Sequence, residues 1–401
     1  MDTFQEKESI QRTPIEVTPP VIKVVGLGGA GCNAINRMIE YGMQGVEFIA
    51  CNTDLQALES SLAETKVQLG PKSTRGLGAG GIPTIGEKAA EESFQILANA
   101  LDGADMVFLT AGMGGGTGTG AIPVAARVSK TIGALTIAVV TTPFTFEMGR
   151  RQKNAAIGLQ KLRQYTNTLI TVPNDRLLEV APQDLSLEMA FKLADDVLRQ
   201  GVSGISELLT ETGLINVDFA HIRHVMNLGG GALMSIGTGE GEDKAMKALH
   251  AALNHPLLDK IQIDSASGII ANFSGGNDLT FAEVAETLTH LQKEAGGGAE
   301  IIPGFISDSN LSDRVQVILI VTGLGALPLE QVIPGAEKYL AEITYQSPPR
   351  HTGNNSEREI PKAEITRNEK EKANYTFTGS NINMTSADLD LPAFLRRRMS
   401  G

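Results

Sequence analysis

Hydrophobic positions change their period several times along the chain. From Val21, short β-branched runs ("VIKVVG", "VEFIACN", "DMVFLTAG", "ALTIAVVTTP" and "NTLITVP") alternate with stretches whose apolar residues recur at helical spacing. That alternation predicts a parallel sheet covered by helices. From Ser186, "SLEMAFKLADDVLRQGVSGISELLTETG" keeps one helical period. Ser186 is placed as its cap, with Met189 three residues on giving half a capping box, and Gly213 is its stop. Beyond about Gly229, "SGIIANFSG", "AEIIPGFIS" and "RVQVILIVTGL" supply strands for a second α/β unit. Met1 to Pro20 and the polar stretch after Pro348 lack an apolar period and are expected to be disordered. The chain closes on "DLDLPAFLRRRMSG", an apolar knot beside a basic run.

Composition narrows the function. The 401 residues leave room for about two or three domains. No apolar run reaches membrane-spanning length, and the polar start is no secretory signal. Cys32 and Cys51 are the only cysteines, which is neither a disulfide framework nor a metal cluster and suits a reducing cytoplasm. A formal net charge of -12 argues against a protein held on nucleic-acid phosphates. Aromatics at 4%, without tryptophan, argue against stacking on single strands.

The glycines carry the chemistry. "VIKVV" runs into "GLGGAGCNAINRM", where Gly26, Gly28 and Gly31 match G-x-G-x-x-G ahead of a helical pattern. A strand, a bare turn and a helix N-terminus form an anion-binding geometry. Alone, this fits a dinucleotide-binding Rossmann domain with Asp54 on the ribose, or a tight turn that binds nothing. A second segment, "AGMGGGTGTGA" from Ala111 to Ala121, repeats the strand–loop–helix order. Gly114 to Gly120 can wrap N–H groups around an anion, and Thr117 and Thr119 add hydroxyls. Two such loops suit a nucleoside triphosphate better than a dinucleotide. A Walker lysine does not follow either loop.

"GGGTGTG" is similar to the signature of the tubulin and FtsZ superfamily. Around it, "VIKVVGLGGAGCNA", "CNTDLQAL", "TPFTFE" with Arg151, "VPND", "GVSGISELL" and "GLINVDFA" resemble the FtsZ family, in that family's order from Val21 to Leu324. The resemblance implies a tubulin/FtsZ-like α/β fold: a Rossmann-like parallel-sheet GTP-binding domain, a long central helix and a second, smaller α/β domain. It divides the chain into an arm (1–20), a GTP-binding domain (21–185), the central helix (186–213), a catalytic loop with its following helix (214–230) and the second domain (231–330). The end of that domain and a disordered linker follow (331–385), then an adaptor-binding peptide (386–401). It also implies GTP or GDP as ligand, with Mg2+ accompanying the nucleotide.

The resemblance assigns site residues as well. Gly29, Ala30, Gly31, Cys32 and Asn33 would form the first loop, with Asn33 at the guanine end. Gly114, Gly115, Gly116, Thr117, Gly118, Thr119 and Gly120 would hold phosphates. Glu147 and Arg151 share a helical face and would sit at the ribose and phosphate side, although such a pair is ordinarily a surface ion pair. Asn174 and Asp195 would read the base and Phe191 would pack on it. A carboxylate accepts from guanine N1–H and the 2-amino group, a pair adenine lacks. Asp196 is adjacent, and the sequence leaves the choice between the two open.

From Asp195 the central helix runs roughly 24 Å to Glu211 at about 1.5 Å per residue. The resemblance makes the loop beyond it catalytic, with Asn216, Asp218 and His221 as its residues; a catalytic loop at that distance cannot serve its own pocket. It must serve a neighbour's, in a head-to-tail filament. The family's usual loop has a second acid where this chain has His221, and its γ-phosphate loop differs where this chain has Ile82, Pro83 and Thr84. Two readings follow: a division GTPase that polymerises and turns over, or a structural subunit that binds GTP and hydrolyses it poorly. In the tail, Asp388, Leu389, Leu391, Pro392, Phe394, Leu395 and Arg396 would bind membrane adaptors. The protein would then be cytoplasmic and recruited to the division site at the inner face of the membrane.

Overall fold

Every strand predicted before Pro173 forms, and each is an interior strand in the parallel part of one sheet. The structure is a computed structural model and describes residues 19–147, 149–179, 181–182, 184–210, 218–228, 231–258, 263–308, 311–324 and 329–340. The strands are β1 (Ile22–Leu27), β2 (Glu47–Asn52), β3 (Thr65–Gln68), β4 (Met106–Gly112), β5 (Leu135–Thr142), β6 (Thr168–Pro173), β7 (Gly231–Glu240), β8 (Gly268–Gly275), β9 (Glu300–Ser307) and β10 (Arg314–Thr322). Their order is β3-β2-β1-β4-β5-β6-β7-β10-β8-β9. Neighbours from β3 to β7 run parallel, β10 is antiparallel to both β7 and β8, and β8 and β9 are again parallel.

The helices are α1 (Gly28–Tyr41), α2 (Leu55–Glu59), α3 (Pro71–Thr74), α4 (Pro83–Glu92), α5 (Phe94–Leu101), α6 (Thr117–Thr131) and α7 (Gly149–Leu162). They continue as α8 (Asn174–Leu178), α9 (Leu187–Thr210), α10 (Phe219–Met226), α11 (Lys244–Leu253), α12 (Phe281–Glu294) and α13 (Leu329–Val332). Central strands such as β4 are apolar on both faces because helices cover both. Helices α1, α9 and α10 cover one face of the β1–β6 sheet through Ile35, Leu198 and Ile222. Helices α4 to α7 cover the other through Leu97, Ile122 and Leu159. A third core fills the space between β7–β10 and helices α11 and α12.

Helix α9 is the spine. The Ser186 hydroxyl accepts from Met189 N–H at 3.3 Å, as the half capping box predicts; Gly213 lies outside the described residues. Two glycines let α9 lie close to its supports. A Cβ on Gly201 would come within 3.0 Å of Val139 on β5, and one on Gly204 within 3.1 Å of Ile318 on β10. The helix therefore packs on the parallel sheet and on the β8–β10 region through one continuous core. The N-terminal arm, the linker and the terminal peptide lie outside the described residues. No helix among those residues is long and apolar enough to cross a membrane.

Candidate functional site

The carboxyl ends of β1, β4, β5 and β6 open onto one cleft, where ligands bind in open parallel sheets. It encloses about 230 Å3. Two backbone loops form its floor. Helices α1 and α6 both begin there, and neither has a side-chain cap bond at its first turn. Their orphan N–H groups and helix dipoles favour an anion.

The two loops touch, and glycine is what lets them do so. Gly28 sits at φ 71°, and a Cβ there would lie 2.7 Å from Gly118 N. A Cβ on Gly118 would in turn meet the carbonyls of Leu27 and Gly112 at about 3 Å. Side chains at these positions would push the helix starts apart. Thr117 at the start of α6 is tied to Thr53 by hydroxyls 2.5 Å apart.

Of the residues expected here, Gly29, Ala30, Gly115, Gly116, Thr117 and Gly118 line the floor. Glu147, Arg151, Asn174, Phe191 and Asp195 line the walls. The remaining expected residues take other places. Cys32 is buried with its thiol near the carbonyls of Gly26 and Cys51, and burial pushes that thiol up to about 11. The Thr119 hydroxyl accepts from Gly114 N–H at 2.8 Å, so it shapes the loop. Gly31 packs under Thr110, and Gly120 packs under Pro83. Asn33 is exposed on α1 and is not part of the lining. Asp54, the ribose ligand of a Rossmann reading, caps α2 by accepting from Gln56 and Ala57 N–H.

At the far end of the cleft the polar groups are only partly satisfied. Asn174 is buried, and its Oδ1 has no hydrogen-bond partner. The Asp195 carboxylate is buried too, with Arg37 Nε at 3.4 Å from Oδ2 in an ion pair too poorly aligned for a hydrogen bond. Burial pushes the Asp195 carboxyl up to about 6, against the pull of Arg37 the other way. Asp196 is already used: Oδ1 accepts from Arg199 Nε at 2.7 Å and Oδ2 from Gln200 Nε2 at 2.5 Å. Asp195 is thus the carboxylate that faces the cleft. Phe191 stands edge-on to buried Phe144, with centroids 5.5 Å apart.

Glu147 is fixed for a role as an anchor. Its Oε1 accepts from Phe144 N–H at 2.8 Å and its Oε2 pairs with Arg151, whose side chain is 56% exposed. The expected ion pair exists, and it borders the cleft instead of lying on open surface. Arg37, Thr141 and Pro143 were not anticipated. Arg37 is recoverable from helical spacing, four residues beyond Asn33; the other two follow from the carboxyl end of β5.

The loop beyond α9 is partly described, and Asn216 lies outside the described residues. Asp218 caps α10, accepting from His221 N–H at 2.8 Å. Ile82 N approaches the Gly116 position, so a Cβ there would sit 2.8 Å away, and Pro83 opens α4. The Ile82–Thr84 segment therefore abuts the glycine floor.

Residues 21–182 match the GTPase domain of the tubulin/FtsZ family, and residues 230–325 match the C-terminal domain of the FtsZ family. The chain is 48% identical to FtsZ of M. jannaschii, solved as an empty dimer, over 77% of this chain and 90% of that one, with a TM-score of 0.74. CetZ2 of Haloferax volcanii, solved as a GTPγS-bound protofilament, shares the fold at 19% identity, over 81% of this chain and 99% of that one, with a TM-score of 0.68. By its sequence and its fold, the chain belongs to the FtsZ family of tubulin-like GTPases.

Proposed function

We propose that this protein binds GTP in the β1–β6 cleft and polymerises head-to-tail into filaments of a division ring, each subunit completing its neighbour's hydrolytic site. The observation that carries the reading is the polarity of the cleft. Two uncapped helix N-termini meet at one end, and Asn174, whose Oδ1 has no partner among the described residues, and a buried Asp195 lie at the other. A triphosphate fits the first end and a guanine the second. Asp195, once ionised, accepts from N1–H and the 2-amino group; Phe191 packs on the base. Glu147 holds Arg151 beside the phosphates.

Mg2+ would arrive with the nucleotide. Glu147 and Asp195 are the carboxylates lining the cleft, and both are already paired. The phosphates and water would supply the ligands, as is usual for this ion. Its chemistry there is to neutralise charge on the β- and γ-phosphates.

Hydrolysis needs an oriented water. Asp218 and His221 lie beyond the far end of α9 from Asp195, so they serve the next subunit's γ-phosphate. The M. jannaschii FtsZ that supports self-association was solved as a dimer. The tail from Asp388 would tether filaments to membrane adaptors. The poor-hydrolysis alternative rests on His221 standing where the family has an acid. Calorimetric titration with GTP and ATP, with sedimentation and phosphate release on the same samples, tests the proposal. GTP binding at least 100-fold tighter than ATP and GTP-dependent pelleting are expected. Equal affinity for the two nucleotides sinks the assignment, and fast or slow phosphate release separates the two readings.

A further inference from the structure

His221 does not stand alone. Its Nε2 lies 2.6 Å from Oε1 of Glu300, the first residue of β9 and 79 residues away in sequence. On the same face of α10, His224 places Nε2 3.5 Å from Oε2 of that carboxylate. Glu300 thus sits between two imidazoles, and its backbone N–H donates to Ser267 O at 3.0 Å, which anchors it at the strand end. His221 and Glu300 are both partly exposed, with side-chain accessibilities of 45% and 39%. The pair is therefore open to another molecule instead of buried as packing.

A carboxylate can only accept, so His221 must present Nε2–H to Glu300. That leaves the lone pair on Nδ1. The same helix turn is fixed from the other side, because Asp218 holds the His221 backbone N–H. The acid missing at position 221 is thus matched by one from a distant strand, reached through an imidazole.

We propose that Glu300 is a positioning residue for GTP hydrolysis: it fixes the His221 tautomer and ring so that Nδ1 can take the proton of the attacking water at the neighbouring subunit's nucleotide. This rests on the interface-hydrolysis reading above. In that step the water oxygen bonds to the γ-phosphorus, and the β,γ-bridging oxygen leaves with the bonding pair as GDP. One water proton passes to His221 Nδ1 and is later returned to solvent, leaving inorganic phosphate. Carboxylate–imidazole pairs act this way in other hydrolases, where the acid orients and stabilises the ring without taking the proton itself. On this account the histidine is a competent substitute, and homopolymers turn over GTP.

The test is a double-mutant cycle on the full chain: wild type, Glu300→Gln, His221→Asn and the double variant. Phosphate release, GTP titration and sedimentation with a non-hydrolysable GTP analogue are followed for each. Glu300→Gln is expected to lower kcat about 10- to 100-fold, within the range a positioned acid–base group contributes. KM, nucleotide affinity and pelleted mass should change less than about twofold. In the His221→Asn background, Glu300→Gln should add nothing, because Glu300 acts only through that ring. Glu300→Asp should recover part of the rate.

Three results with the Glu300→Gln change overturn the proposal. Glu300→Gln can leave kcat unchanged, can slow the double variant by as much as it slows wild type, or can reduce polymer mass in parallel with rate. Wild-type chain that binds GTP and pellets without turnover overturns this inference alone and favours the structural-subunit reading. Wild-type chain that neither binds GTP nor pellets overturns the function on which it rests.

Discussion

Replacing Asp195 with Asn tests the carboxylate to which the proposed function gives the choice of guanine over adenine. The carboxylate is buried, faces the cleft and has Arg37 as its ion-pair partner among the described residues. Ionised, it accepts two N–H groups of guanine. Each hydrogen bond to a charged group contributes about 1.5–3 kcal/mol. Asparagine keeps the shape, but its amide NH2 faces one of the two guanine donors and its carbonyl carries no charge. Arg37 also loses its counter-charge. The expected loss is about 3–4 kcal/mol, or roughly 10²- to 10³-fold in GTP affinity. Xanthosine triphosphate should recover part of that loss, because its C2 carbonyl accepts where guanine's 2-amino group donates. Isothermal titration of both proteins with GTP, ATP and xanthosine triphosphate reads all three effects. An Asn variant that binds GTP within threefold of wild type refutes the role assigned to Asp195. So does one that binds xanthosine triphosphate no better than wild type does.

The same group sets a pH dependence. Its carboxyl is pushed up to about 6 by burial, and only the ionised form accepts from guanine. GTP affinity should be flat above about pH 7 and fall about tenfold per unit below about pH 6, while the Asn variant stays flat in titrations across pH 5–8. The stability of the empty protein runs the other way. The native carboxyl keeps a proton that the unfolded chain has already lost, so stability falls as pH rises from about 4 to about 6, measured by urea unfolding. Gly28→Ala should abolish GTP binding while the chain stays folded by circular dichroism, because a Cβ at φ 71° would sit 2.7 Å from Gly118 N. Mixing an Asp195→Asn chain with an Asp218→Ala chain should recover turnover that neither shows alone. In a random filament about a quarter of the interfaces pair an intact pocket with an intact loop. A mixture no faster than its parts contradicts shared sites.

Local pattern and distant contact account for what the sequence could and could not reveal. Strands β1, β2, β4, β5 and β6 were legible because both faces are apolar, and the glycine loops because strand, turn and helix follow one another directly. Strand β7 was missed. Gly237 and Gly239 lie against α11, where a Cβ would strike the Ala248 and Lys244 carbonyls at about 2 Å, so the strand carries no alternating apolar pattern. The four-residue edge strand β3 is too short to show a period. Glu147, Arg151, Asn174, Phe191 and Asp195, which line the cleft, were expected there from the family resemblance of their motifs. Choosing Asp195 over Asp196 required the fold, because adjacent helical residues differ only in which way they face. The His221–Glu300 contact was out of reach, since nothing in either segment refers to the other. Cys32 and Thr119 have the right residue types, but one side chain faces the core and the other its own loop.

Phosphate release as a function of protein concentration, with pelleted mass measured on the same samples in GTP, tests the shared-site account most directly. Asp218 and His221 lie beyond the end of α9 remote from Asp195, so on the proposed reading a lone subunit would hold only half of each catalytic site. Turnover per subunit should be near zero at low concentration, rise at a threshold, and share that threshold with the appearance of polymer; ATP should give neither. Turnover per subunit that stays constant with dilution, well below the concentration at which polymer forms, would mean that one chain carries a complete site and would contradict the account.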